Sequence, residues 1–563
     1  MDLFTNPDLF RYINEYTDLR SLCDTCSVFA TLKQYIHYKL NEKYSFMYYD
    51  DISFRNTILS KICNPSKQLH LDLRYYNITN VSALANVHTL NLRCSKITDV
   101  SALGKIHNLN LQCCRNIRDV SALGNVYDLN LSDCHITDVS ALGKVHILNL
   151  AQCHISDVSA LSNVYNLNLA FCNVTDVSAL SKVHTLNLSC CHITDVSALG
   201  NVHTLRLSRC KNIKNVRSLG NVYNLDLSYC KKIKDVSALG KCHTLDLTGC
   251  EIKSVRALGK VNTLNLTDCK KIKDVSALGN VYDLNLNGCN ITDVSSLGKV
   301  HTLHLSYCDN IKDVSSLGKV HTLYLIDCDN ITDVSALGNV KYLDLTGSKN
   351  VRDVSALGNV HTLYLSGCKH IKDVSALGKC HILYLSGCIN IKDVSALGKV
   401  FTLNLSGCNI TDVSALGKVH MLYLSYCDNI TNINALGNVH TLDLSHCLIT
   451  DVSGLGCVYD LDLSNCDNIN DVSALSKVHT LNLSHCRNIR DVSALGKVHT
   501  LNLSSINNIN VSALGNVHNL NLSWCKNITG VSELGNVHTL KLTQCNITDL
   551  EISALQNVPV LDL

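Results

Sequence analysis

From about residue 69 to residue 563 the apolar positions of this chain recur every 19–20 residues. The stretches Val145–Leu161, Val183–Leu199 and Val478–Leu495 read almost alike, the third longer by one Asn. Each unit runs Val-His-Thr-Leu-x-Leu-Ser-x-Cys-x-(Asn)-Ile-x-Asp-Val-Ser-Ala-Leu-Gly-Lys/Asn. Its first half alternates, and a Leu-x-Leu pair recurs 26 times, from Leu71/Leu73 to Leu561/Leu563. Period-two alternation marks a short strand with one buried face. The second half leaves about ten residues between its Ile and the next strand, too few for a full α-helix. Asp-Val-Ser-Ala-Leu-Gly predicts one helical or 3₁₀ turn, capped by Asp or Ser and closed by Gly. Such a unit buries little alone, so the pattern predicts an α/β solenoid of about 25 stacked repeats. Parallel strands about 4.8 Å apart would give an arc on the order of 120 Å.

Residues 1–68 break the repeat. Leu9, Phe10, Ile13, Tyr16, Leu19, Leu22, Cys23, Cys26, Phe29, Leu32, Ile36 and Leu40 follow helical spacing. Thr17-Asp18 can cap a second helix from Leu19. Three parts are expected: a small helical module over residues 1–50, a linker or cap over 51–68, and the solenoid over 69–563. The plain role of the helices is to cover the first exposed coil.

Composition narrows the class. With 49 basic and 47 acidic residues the chain offers no electrostatic footprint for nucleic acid or an anionic membrane. No apolar run approaches the roughly 18 residues of a membrane span. The N-terminus lacks the basic-then-apolar order of a secretory signal. The 30 cysteines then read as free thiols in a cytoplasmic, reducing setting. Scarce Pro beside frequent Asn, Ile, Lys and Tyr suggests an AT-rich genome, such as that of a large DNA virus or a protist.

The string Val-x-x-Leu-x-Leu-x-x-Cys-x-Ile resembles the leucine-rich repeat family, with Val in the first slot. Ile-Thr-Asp-Val-Ser-Ala-Leu looks most like the short repeats of internalin-type proteins. The resemblance implies a right-handed coil with a concave parallel sheet and a convex side of 3₁₀ turns. It implies no particular ligand. Near the N-terminus, Asp18-Leu-Arg-Ser-Leu22-Cys-Asp-Thr-Cys26-Ser-Val-Phe29 resembles the second half of an F-box, and Leu9-Phe-Arg-Tyr-Ile13 its upstream element. Thr25 and Ser27 stand where Val and Lys are usual. This resemblance implies docking on a Skp-family adaptor through Leu9, Phe10, Ile13, Leu19, Leu22, Cys26 and Phe29.

Three ladders run along the repeat. Cysteine recurs three residues after Leu-x-Leu, as at Cys114, Cys134 and Cys153, and reads as a small packed residue. Ser348 and Ile506 replace it at two rungs. Zinc spacing does not recur, and Cys23/Cys26 has no second pair. Histidine follows the leading apolar residue in sixteen units, with Tyr in others. These rings read as a stack along the sheet edge, or as a metal-binding or pH-sensing ladder. Asp138, Asp157, Asp176 and Asp195 read as turn caps. No catalytic residue, metal or cofactor is assigned, since repetition marks structural slots.

A target site is read from the variable position of Leu-x-Leu. That position is mostly Asn or Asp, but becomes His304, Tyr324, Tyr364, Tyr384 and Tyr423 between residues 300 and 430. Tyr307, Tyr342 and Tyr426 lie in nearby slots, and Asp309, Asp327 and Asp344 would form an acidic rim. Clustered Tyr on a rigid face suits protein binding. Drift among copied repeats gives the same residues. The expected function is substrate recognition for a cullin–RING ubiquitin ligase, with a Skp-family adaptor and an unidentified target protein as partners. The alternative is a scaffold or decoy with no ligase link. The last strand, Val558–Leu563, lacks a polar cap and is expected to be open to pairing with another copy.

Overall fold

The computed structural model describes residues 37–62 and 64–563. They belong to two units, one ending at Ile252 and one beginning at Lys253. Each unit is a stack of short coils. In the first, parallel strands run from Tyr38–Lys39 through Leu69–Asp72 to Thr244–Asp246; in the second, from Thr263–Asn265 to Val560–Asp562. Within each unit every Leu-x-Leu strand pairs with the next in the same register, as in Leu71↔Leu90 and Leu383↔Leu403.

Residues 381–400 show how one coil is built. Leu383, Leu385, Cys388, Ile391, Val394, Leu397 and Val400 all point inward and are at most 2% exposed. Burying each of the larger side chains is worth roughly 1.5–3 kcal/mol. The strand is Ile382–Tyr384 and the return arm holds one 3₁₀ turn, Ser395–Leu397. Asp393 Oδ1 accepts from Ser395 N–H at 2.9 Å, the turn cap expected from sequence. Gly398 does not close the turn in a left-handed conformation, since its φ is −64°. It is small for another reason: a Cβ there would sit 2.2 Å from the Ala415 carbonyl oxygen of the next coil.

At the first unit's beginning, helices Glu42–Asp50 and Ile52–Lys61 precede a short turn, Pro65–Gln68. Asn41 caps the first helix through Tyr44 N–H, and Asp51 caps the second through Ser53 and Phe54 N–H. Ser45 Oγ donates to the Leu40 carbonyl and accepts from Asp72 N–H, tying the first helix to the first Leu-x-Leu strand. The sheet gains one strand that the leucine pattern did not predict. Tyr38–Lys39 pairs with Leu69–His70, so Leu40, placed on a helical face by spacing, follows a strand instead. The last coil replaces its 3₁₀ turn with an α-helix, Asp549–Ala554, held by a Thr548/Glu551 capping box. No helix among the described residues is long and apolar enough to cross a membrane.

The cysteine ladder does more than fill space. Cys388 Sγ donates to the Leu365 carbonyl at 3.1 Å, and Cys408 repeats the bond to Leu385. Ser348 substitutes its hydroxyl, donating to Leu325 at 2.8 Å. Ile506 keeps the packing and drops the bond. Burial pushes the Cys114 thiol up to about 11 and those of Cys388 and Cys408 up to about 12. Among the described residues every cysteine is a free thiol, and no three His, Cys, Asp or Glu side chains converge to hold a metal ion.

The histidine slot forms a ring stack in each unit. From His88 to His243 successive His and Tyr rings lie 4.6–4.9 Å apart, centroid to centroid. In the second unit Lys341 interrupts the stack, which resumes at His361 and runs to His538. Where Thr follows His, as at His440, imidazole Nδ1 lies within hydrogen-bond reach of its hydroxyl (3.2 Å there). Burial, then His37, His88 and Lys39, hold His70 down to about 4. His88, His361 and His518 are lowered too, first by burial and then by charged neighbours, although a backbone hydrogen bond to Ser66 opposes the shift at His88.

Four outcomes follow from this packing. Leu383→Ala should lower the denaturation midpoint by the equivalent of about 2–5 kcal/mol; Asp393→Ala should cost about 0.5–2 kcal/mol. The lowered pKa values of His70, His88, His361 and His518 mean that the unfolded chain takes up protons these four rings refuse. Their contribution to stability is therefore complete above about pH 6.5 and is lost as pH falls through the lowered values, about 4 for His70. The Asp turn caps fail only further down, because hydrogen bonds hold Asp393 and its equivalents below the usual carboxylate range. A melting temperature equal at pH 7.5 and 4.5 would refute the histidine account. Among the described cysteines, maleimide at neutral pH should tag exposed Cys457 first and leave the buried ladder unlabelled until unfolding, read by peptide mapping.

Candidate functional site

The expected target residues all lie in the second unit. His304, Tyr324, Tyr364, Tyr384 and Tyr423 occupy outward positions of successive or near-successive strands. His304 stacks on Tyr324 at 4.3 Å, and Tyr364 on Tyr384 at 4.7 Å. Between them the register places Asp344 opposite both Tyr324 and Tyr364. Tyr342, at the other outward position of the Asp344 strand, fills this break. Its ring lies 5.1 Å from Tyr324 and 5.5 Å from Tyr364. Five rings thus form one strip from His304 to Tyr384. Asn404 separates Tyr423 from it.

Asp344 is therefore not part of an acidic rim. It stands inside the strip and is 8% exposed, its Oδ1 accepting from Thr346 N–H at 2.9 Å. Asp309 is exposed beyond the turn, and Asp327 is half-buried. Burial, then Tyr324, Tyr364 and Asp344, push the Tyr342 phenol well above its ordinary value; burial raises Tyr384 and Tyr423 as well. Burial also lowers His304 despite Asp283. The raised phenols of Tyr342 and Tyr384 and the lowered imidazole of His304 therefore favour their neutral forms, leaving Asp344 as the charged group of the strip.

Tyr307 and Tyr426 belong to another row, the slot two residues after the second leucine. There the backbone turns left-handed, with φ of 60° at Tyr307 and 59° at Tyr426. Most coils place a side chain in that slot. Beside the aromatic strip the side chains vanish: Gly347, Gly367, Gly387 and Gly407 occupy it in four successive coils. A Cβ at Gly367 would meet nothing nearer than Gly347 backbone atoms at 3.8 Å, so the lane is open. One at Gly347 would fall 2.1 Å from Asp327 Oδ1, whose carboxylate reclines over it. Tyr307 and Asp327 bound one end of this lane. Tyr426, stacked on His446 at 4.2 Å, bounds the other. Sequence reading missed the lane, although four Gly in one slot, three of them in coils with a Tyr substitution, were there to see.

A groove of about 1060 Å³ lies on the turn side of the second unit, along Ser375, Gly378, Lys379, Ser395 and Lys399. Its lining is the ordinary repeat, and a second groove of about 780 Å³ follows the same slots over residues 276–339. The sheet face is the better candidate because there the repeat departs from itself. The adaptor-docking residues Leu9, Phe10, Ile13, Leu19, Leu22, Cys26 and Phe29 lie outside the described residues.

The family model described as Leucine Rich repeat matches residues 179–200 and 401–416. No curated relative matches by sequence. Solved structures match along most of the chain. The TLR13–ssRNA13 complex is 20% identical with a TM-score of 0.56, covering 88% of this chain and 84% of that one. The LRR ectodomain of the plant receptor kinase GASSHO1/SCHENGEN3 from Arabidopsis thaliana is 16% identical over 87% of this chain and 81% of that one, with a TM-score of 0.34. The InlJ functional domain from Listeria monocytogenes, which includes a cysteine ladder, is 18% identical over 70% and 72%, with a TM-score of 0.29. Repeat, fold and matched segments agree: the chain has the leucine-rich-repeat fold and carries leucine-rich repeats in the matched segments.

Proposed function

We propose that this chain is a non-enzymatic binding scaffold that seats a target protein on the tyrosine face of its second unit. The observation that carries this reading is the coincidence of the five-ring strip with the side-chain-free lane, on strands locked in register. Tyr supplies large contact area with few rotors, and a hydrogen-bonded sheet presents it already ordered. The N-terminal resemblance extends the proposal. A segment like Asp18–Phe29 ahead of leucine-rich repeats is the order found in substrate receptors of cullin–RING ligases. The receptor would dock on a Skp-family adaptor, raise the effective concentration of its target, and leave chemistry to other subunits. Free thiols fit a cytoplasmic site of action.

Co-expression with a Skp-family adaptor tests the ligase half. Co-elution is expected, and Leu19→Glu with Leu22→Glu should abolish it while circular dichroism stays unchanged. If the intact chain fails to retain the adaptor, the ligase role is excluded and a scaffold or decoy remains.

A further inference from the structure

Charge on the tyrosine face is one-sided. The two outward rows of the second unit carry five carboxylates between Asp283 and Asn521: Asp283, Asp344, Asp443, Asp460 and Asp462. The same rows carry no Lys or Arg over that span. Lys341 stands at the edge, in the ring-stack slot, and Lys349 is occupied by Asp329 at 3.0 Å. Neither Asp327 nor Asp344 has a cation within 4 Å among the described residues. Burial and the neighbouring Asp462 raise Asp460, and the edge imidazoles His440 and His479 offset this only in part.

A second observation points the same way. In the first unit, tyrosines in the left-handed slot each have an arginine of this chain near the ring face. Arg93 lies 5.7 Å from the Tyr75 ring and Arg209 lies 4.9 Å from Tyr229. Tyr307 in the second unit has the same slot and is as exposed as Tyr75, but no arginine approaches its ring among the described residues. The face offers ring faces and carboxylates, and what it lacks is the cation.

We propose that the tyrosine face takes a cationic, extended polypeptide segment, with Arg or Lys side chains over the rings and near Asp327, Asp344 and Asp443, and its backbone along the glycine lane. The inference rests on the target-face reading above. Six strand steps separate His304 from Tyr423, about 29 Å at 4.8 Å each. An extended segment of about nine residues covers that span.

The test uses the full chain and four labelled probes in fluorescence anisotropy: a nine-residue Arg/Gly peptide, its Ser/Gly and Glu/Gly counterparts, and a single-stranded oligoribonucleotide. The Arg peptide should bind about tenfold or more tightly than the Ser peptide and weaken severalfold as salt rises from about 50 to 200 mM, while the Glu peptide should not bind. Asp344→Asn with Asp327→Asn should weaken the Arg peptide about tenfold. Asn is safe at 344 because Asn404 fills the same slot and accepts from Ser406 N–H at 2.9 Å. Gly367→Asn with Gly387→Asn should weaken it comparably by filling the lane, since Asn465 adopts that conformation. Binding of Ser and Arg peptides with equal affinity, abolished by Tyr324→Ala, Tyr364→Ala and Tyr384→Ala together, would overturn the cationic partner and keep the target face. Undiminished Arg-peptide binding to that triple variant would remove the face itself. No Arg-peptide binding at about 1 mM, or tighter binding of the oligoribonucleotide, would also overturn the proposal.

Discussion

Hydrogen bonding between successive parallel strands sets the rise from coil to coil at about 4.8 Å, and every slot on the surface inherits that spacing. Leu325 N–H donates to the Asp344 carbonyl across 2.7 Å, and Leu345 N–H to Tyr364 across 2.9 Å. Leucine faces leucine in each pair, so a slip of one residue would turn both leucines of a strand toward solvent. Inside, the rise brings each thiol onto a carbonyl of the preceding coil. Outside, it spaces aromatic rings at the near end of their preferred stacking range.

Coils so alike carry little information where they agree. Lys379, Lys399 and Lys418 line a groove because every coil has that slot, and Asp393 caps its turn as Asp138 does. Specificity belongs to the few coils that differ. Between residues 300 and 430 three changes fall together: outward Asn gives way to Tyr or His, the left-handed slot loses its side chain in four coils, and Asp327 and Asp344 stand without a cation.

The sequence made the inward half of the fold plain and the outward half only partly so. Leu-x-Leu announced each strand because period-two burial leaves no other reading, and Cys announced a packed slot by tolerating Ser and Ile. The Tyr364–Tyr384 stack followed from position alone. The position of Tyr342 did not, because its ring crosses from the neighbouring row to fill the gap at Asp344. That is a rotamer choice made by tertiary packing, and the same choice moved Asp344 from rim to interior. The left-handed turn was hidden because Tyr, Cys and Asp occupy it despite a cost of roughly 1–2 kcal/mol, which disguised the glycines as drift. The strand Tyr38–Lys39 has no leucine pair to announce it.

The thiol-to-carbonyl bond has a genetic corollary. Cys388 reaches back to Leu365 as Cys408 does to Leu385, so within a stack each coil asks the same thing of its predecessor. Excising or duplicating one coil length of DNA would rejoin surfaces that already match, leucine to leucine and sulfur to oxygen. Unequal recombination between the copies could therefore lengthen or shorten a stack without breaking it.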